Sequence, residues 1–219
     1  DEVTQAVGGM LVGGRGLPWV AGVYGVYRMA EALDGDETTA IVLDGYGKYT
    51  TDVGAGMKLT VAAEVAAVLG ETDLLATPDV ERHQLAQIGA AFQAHLDAGG
   101  YGGVLDILYA SGDPNFDDDT LGAFRADVNF EMGLLLFKHV IAAQSARTPI
   151  HAADPNLTGV PSDDLDRIPT RGAITNTIAI FPRLWYRPID GVEIYGGGLV
   201  ALAAVPYADA FRTSLAGGE

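Results

Sequence analysis

The sequence predicts an all-β fold: a transmembrane antiparallel up-and-down β-barrel, of which these residues supply an incomplete set of strands. Three observations carry this reading. Several segments alternate apolar and polar residues with a period of two, which puts one set on each face of a strand. Those segments run to ten residues or more, whereas ordinary strands hold about 5 to 6 residues and membrane-barrel strands about 9 to 11. The gaps between them alternate between short and long, as in barrels with short periplasmic turns and longer external loops.

Taken in order, 7–12 holds part of a strand, and 17–33 is a Tyr- and Val-rich strand ending at the turn 34–37. Segment 39–51 sets Ile41, Leu43 and Tyr49 against Asp44, Lys48 and Thr50. A short Gly-rich turn at 52–56 leads into 58–70, the clearest alternation in the chain. There Leu59, Val61, Ala63, Val65, Ala67 and Leu69 oppose Lys58, Thr60, Ala62, Glu64 and Ala66, with Val68 the exception. The loop 71–82 is polar and contains Pro78.

Segment 84–98 reads two ways. Ile88, Ala90, Phe92 and Leu96 alternate with Gln87, Gln93, His95 and Asp97, yet Leu85, Ile88, Phe92 and Leu96 also fit a helical face that Gly99 would cap. The alternation of its neighbours favours a strand. Segment 101–111 is a strand with Tyr101 and Tyr109 on its apolar face. Eight residues at about 3.3 Å each separate them by roughly 26 Å along the strand, or about 20 Å of height at a tilt of about 40°, near the roughly 25 Å apolar band between aromatic girdles. Segment 111–122 is acidic loop. Segment 124–136 alternates again, but loop parity assigns all of 111–171 to one external excursion. Segments 173–186 and 192–204 are the last strands, joined by a turn at 188–191. The domain is single, spanning 1–219. About seven crossings and no terminal aromatic residue imply further strands beyond one or both ends.

Composition narrows the function. A formal net charge of −16 argues against nucleic-acid binding, which needs clustered Lys and Arg. With zero Cys there are no disulfides and no thiolate metal sites. The longest strongly apolar run, 132–137, is far short of the roughly 20 residues of a transmembrane helix. No nucleophile elbow, phosphate loop or zinc-protease motif is present, and the four histidines are scattered, so the chain is read as no enzyme.

Charged side chains facing lipid at the midplane cost about 2 to 4 kcal/mol for Arg or Lys, so strand charges should face the lumen. That assigns Asp44, Lys48, Lys58, Glu64 and Gln87 to the lumen wall, together with Gln93, Asp106, Arg183, Arg187 and Glu193. Asp113, Asn115, Asp117 and Asp119, spaced by two, are candidate Ca²⁺ ligands, although the loop lacks the Gly and Glu of an EF-hand. A solvated acidic loop is the simpler account of them.

The stretch Tyr109-Ala110-Ser111-Gly112-Asp113, with Asp117-Asp118-Asp119-Thr120 and Phe124, resembles a strand and acidic loop of alginate-export-type outer-membrane porins. Phe137-Lys138-His139, Thr170-Arg171-Gly172-Ala173-Ile174-Thr175-Asn176 and Arg183-Leu184-Trp185-Tyr186-Arg187-Pro188 are similar to uncharacterised relatives of that family. The resemblance covers the C-terminal half. It implies a monomeric bacterial outer-membrane barrel, partnered by lipid, with an electrostatically tuned lumen that passes small solutes or an exported polysaccharide. The chain departs from the family in its acidic balance and in having no dense arginine lining. Two other readings fit the alternation: a plugged barrel serving as scaffold or adhesin, and a soluble Ca²⁺-dependent β-sandwich binding module.

Overall fold

The structure is a computed structural model that describes residues 2–14, 16–33, 35–73, 80–115, 118–127, 129–130, 132–133, 137 and 173–206. It is all-β and antiparallel, built from long strands in up-and-down order. The strands are β1 (Glu2–Gly13), β2 (Trp19–Glu31), β3 (Glu37–Gly54), β4 (Met57–Thr72), β5 (His83–Asp97), β6 (Tyr101–Ala110), β7 (Thr120–Leu121), β8 (Thr177–Ile189), β9 (Val192–Gly197) and β10 (Val200–Ala203). One sheet runs β1-β2-β3-β4-β5-β6-β8-β10, with β9 on β8 and β7 parallel to β5. Among the described residues β1 pairs only with β2, and β9 and β10 only with β8. The sheet is therefore open and not closed into a barrel.

The ambiguous segment 84–98 is a strand. It pairs without a break with β4 from His83 to Asp97 and with β6 from Gly89 to Asp97. Gly99, which could have capped a helix, instead has φ +78° in the β5–β6 turn, where its N–H donates to Asp97 Oδ1 at 2.7 Å. At the N-terminus the half-strand expected at 7–12 is a full twelve-residue strand. The ends joining β1 to β2, β3 to β4, β5 to β6 and β8 to β9 lie at one end of the sheet, and those joining β2 to β3, β4 to β5 and β6 to β8 lie at the other.

The expected strand 192–204 is interrupted, and Pro182 on β8 gives the physical reason. Its carbonyl accepts from Gly198 N at 3.2 Å, so the side of Pro182 that faces β9 and β10 lacks an N–H to return the bond. The ladder breaks there, between Gly197 and Val200.

The excursion expected to stand outside, 111–171, is described only in part. Its described residues between 111 and 133 fold back across the sheet. The alternation at 124–136 does not form a strand among the described residues; Arg125 forms an isolated bridge to Thr175. Its apolar residues pack instead. Met132 joins Leu108, Ile174, Ala179 and Phe181 in a buried cluster, flanked by Ala126, Phe130, Phe137 and Leu199. Ile174 is 1% exposed.

Candidate functional site

Antiparallel register places directly paired residues on the same face. Following the pairs across the sheet, Lys48, Ala62, Gln93, Asp106 and Phe181 form one row. Asp52, Lys58, Asp97, Gly102, Trp185 and Tyr195 form a second. Tyr46, Glu64, Ala91, Leu108 and Ala179 form a third. Asp44 stands one row further on, opposite Ala66, and Gln87 opposite Val68. Arg183 pairs with Val104 on the same face. Arg187 and Glu193, past a register shift, meet each other through a 2.8 Å ion pair, and Arg187 lies 4.2 Å over the Trp185 ring. The ten residues read from parity thus lie on one polar face.

The other face has a different chemistry. Val23, Ile41, Leu43, Val65, Leu69, Ile88, Ile180 and Leu184 project from it, and each is exposed, Val65 at 49% and Leu184 at 71%. Among described strand residues its charges are Glu2, Glu31, Glu37 and Glu71, all at the long-loop end. Glu2 pairs with Glu31, and Glu31 with Glu37. Arg82 reaches this rim, 3.0 Å from Glu71, 3.7 Å from Glu37 and 3.6 Å from Asp73. At the short-turn end the same face carries the pairs Trp19–Tyr49 and Tyr101–Tyr186.

Part of the polar face is a connected network. Gln93 Nε2 donates to Asp106 Oδ1 at 2.7 Å, and Arg183 donates to the other oxygen, Oδ2. The guanidinium also sits 5.0 Å from the Phe181 ring centroid. Two strands away the Asp44 and Glu64 carboxyls are neighbours. A cleft of about 390 Å³ separates this wall from the folded-back segment, with Glu64, Gln93, Asp106 and Arg183 on one side and Phe130 and Met132 on the other.

The segment is held by a few specific bonds. Ser111 Oγ accepts from Ile88 N at 3.0 Å and donates to Gly122 O at 2.6 Å; the Ser111 carbonyl accepts from Phe124 N at 3.0 Å and Asn176 N at 3.3 Å. Asp113 is buried. Its Oδ1 accepts from Asn115 N at 3.1 Å and its Oδ2 from Gly122 N at 3.0 Å. Burial pushes this carboxyl above the ordinary range, against the pull of those two N–H donors and with a further push from Asp118; the nearby His83 ring pulls it down.

The candidate Ca²⁺ ligands take local roles. Asp113 is committed to backbone N–H groups, Asp119 Oδ1 accepts from Thr120 Oγ1 at 3.1 Å, and Asp117 lies outside the described residues. Among the described residues no group of three acidic or histidine side chains could hold a metal ion.

Parity reasoning missed the aromatic part of the polar face. Tyr46 shares the parity of Asp44 and Lys48, and Trp185 that of Arg183 and Arg187, whereas Tyr101 and Tyr109 lie on the apolar face as expected. That shared parity was the available signal. No comparable signal marked 122–133, whose apolar residues pack as an irregular segment. Comparison of the chain with protein-family models, curated proteins and solved structures finds no significant match.

Proposed function

We propose that this chain forms part of the wall of a bacterial outer-membrane β-barrel, acting as a passive channel for small hydrophilic solutes. The observation that carries the proposal is the separation of charge between the two faces. Apart from four glutamates at one rim, every charge on the described strands lies on the polar face, while the opposite face is a continuous uncovered apolar belt. Soluble monomers rarely expose apolar patches beyond a few hundred Å². Lipid is the occupant that matches a belt this wide, edged by Trp19, Tyr49, Tyr101 and Tyr186 at one end.

An open sheet cannot stay open in hydrocarbon, because its edge N–H and C=O groups would lack partners. The reading therefore requires that the edges at β1 and at β9 and β10 be paired, by further strands or by each other. The polar wall mixes Asp44, Glu64 and Asp106 with Lys48, Lys58, Arg183 and Arg187. A mixed wall suits small solutes better than an anionic polymer, which a dense cationic lining would recruit. The protein acts as a monomer on this reading.

The packing of 122–133 on the polar face also favours a second reading, a barrel plugged by its own loop. Refolding the full chain into lipid vesicles, then recording single-channel currents, separates the possibilities. Insertion with discrete conductance supports the channel, insertion without conductance supports the plug, and a detergent-free soluble monomer contradicts both.

A further inference from the structure

We infer that the described residues of 122–133 form the narrowest section of the passage, and that Phe130 and Met132 set the size of solute that passes. This rests on the channel reading above and adds the part of the wall that determines selectivity.

The segment begins beyond β6 at the long-loop end and crosses to the polar face. There it is packed as part of the fold. The Phe124 ring fills the space over Gly89, where a β-carbon would meet Phe124 Cε1 at 2.2 Å. Ala126 N donates to the Ile174 carbonyl at 3.0 Å. Met132, 6% exposed, seats between Leu108 and Phe181, which project from the strands on that face. Core packing of this kind holds one arrangement. A loop tethered only at its ends would carry no buried cluster.

The geometry then defines what a solute meets. On the strand side the cleft presents hydrogen-bonding groups: the Gln93–Asp106–Arg183 chain and the Glu64 carboxyl. On the loop side it presents Phe130 and Met132. Arg183 is fixed by Asp106 and by the Phe181 ring, so the polar side keeps its shape as solutes pass. One wall is polar and rigid and the other bulky and apolar. Such a passage admits small hydrophilic solutes and excludes larger ones by contact with the loop side chains.

Ala62 tests the opposite wall. It lines the cleft between Lys48 and Gln93 and takes no part in the cluster beneath the loop. The full chain and the variants Phe130→Ala/Met132→Ala and Ala62→Trp should be refolded into vesicles, checked for the heat-modifiable folded form, and recorded in planar bilayers. Liposome swelling with sugars of increasing size gives the exclusion limit. The loop variant should raise conductance by about twofold or more and admit larger sugars, and Ala62→Trp should lower both, as for a pore whose narrowest section is widened or filled. A wild type that inserts but conducts only after the loop variant also supports the inference, with the loop then sealing the barrel. Unchanged conductance and exclusion limit in folded variants of a conducting wild type overturn the inference and leave the channel reading standing. A folded, inserted protein silent in all three forms overturns the inference and favours a plug formed elsewhere. A wild type that does not insert overturns both.

Discussion

The Phe124 ring stands where a side chain at position 89 would have to be: a β-carbon built on Gly89 meets Phe124 Cε1 at 2.2 Å and Cζ at 2.5 Å. Gly89 lies in the middle of β5, where glycine ordinarily weakens a strand, and its use here marks a close approach. Gly89→Leu should leave the sheet intact and displace the loop. Overpacking of this kind costs about 1 to 3 kcal/mol. In folded, vesicle-inserted protein, chymotrypsin should cut near Phe124 and Phe130 faster in the variant than in wild type. Equal cutting rates would mean that the ring does not anchor the loop.

The two faces should differ in their tolerance of charge. Val65→Arg puts a cation on the apolar belt, and Ala62→Arg puts one on the polar face three positions away. The first should cost about 2 to 4 kcal/mol of folding free energy in bilayers and the second much less. Urea titration of the folded, heat-modifiable form measures both. Equal costs would remove the assignment of the belt to lipid.

Asp106 and Arg183 should be strongly coupled. Their side chains are 15% and 37% exposed, and Gln93 shares the same carboxylate. Removing one partner leaves the other unpaired in a half-buried site, so Asp106→Asn and Arg183→Met should each destabilise more than their combination implies. A double-mutant cycle should return a coupling of about 0.5 to 3 kcal/mol. Strict additivity would mean that solvent screens the pair completely.

Asp113 gives a pH test with a defined sign. Burial holds its proton more tightly in the folded loop than in an unfolded chain. Its contribution to stability is therefore present in acid and is lost as pH rises from the ordinary value of 3.8 through the raised folded value. Acidification toward that window should tighten the loop. The loop's resistance to proteolysis, measured against pH and corrected for the protease's own pH dependence, should rise. Lower resistance in acid would show that the two amide bonds to the ionised carboxylate outweigh its burial.

The strands were legible because a single physical requirement wrote them. Each wall strand must put apolar groups on one face and polar groups on the other, so 58–70 alternates and its register follows. The same parity put Asp44, Glu64, Gln93, Asp106 and Arg183 on one face before any pairing was known. What parity could not convey was packing without periodicity. Phe124, Phe130 and Met132 sit in a segment that alternates like a strand but finds its apolar partners across the sheet, in Leu108 and Phe181. Pro182 was visible in the sequence, yet its effect falls on the neighbouring strand, and only the register shows where.

The central claim is that the alternation in β4 separates lipid from an aqueous interior. The chain has no cysteine, so single cysteines can be placed along β4 without background. Cysteines substituted at 60, 61, 62, 63, 64 and 65 in vesicle-inserted protein should be labelled with a fluorophore and exposed to quenchers resident in lipid or in water. The account predicts lipid quenching at 61, 63 and 65 and aqueous quenching at 60, 62 and 64. Aqueous quenching at every position, or lipid quenching on the even positions, would contradict it.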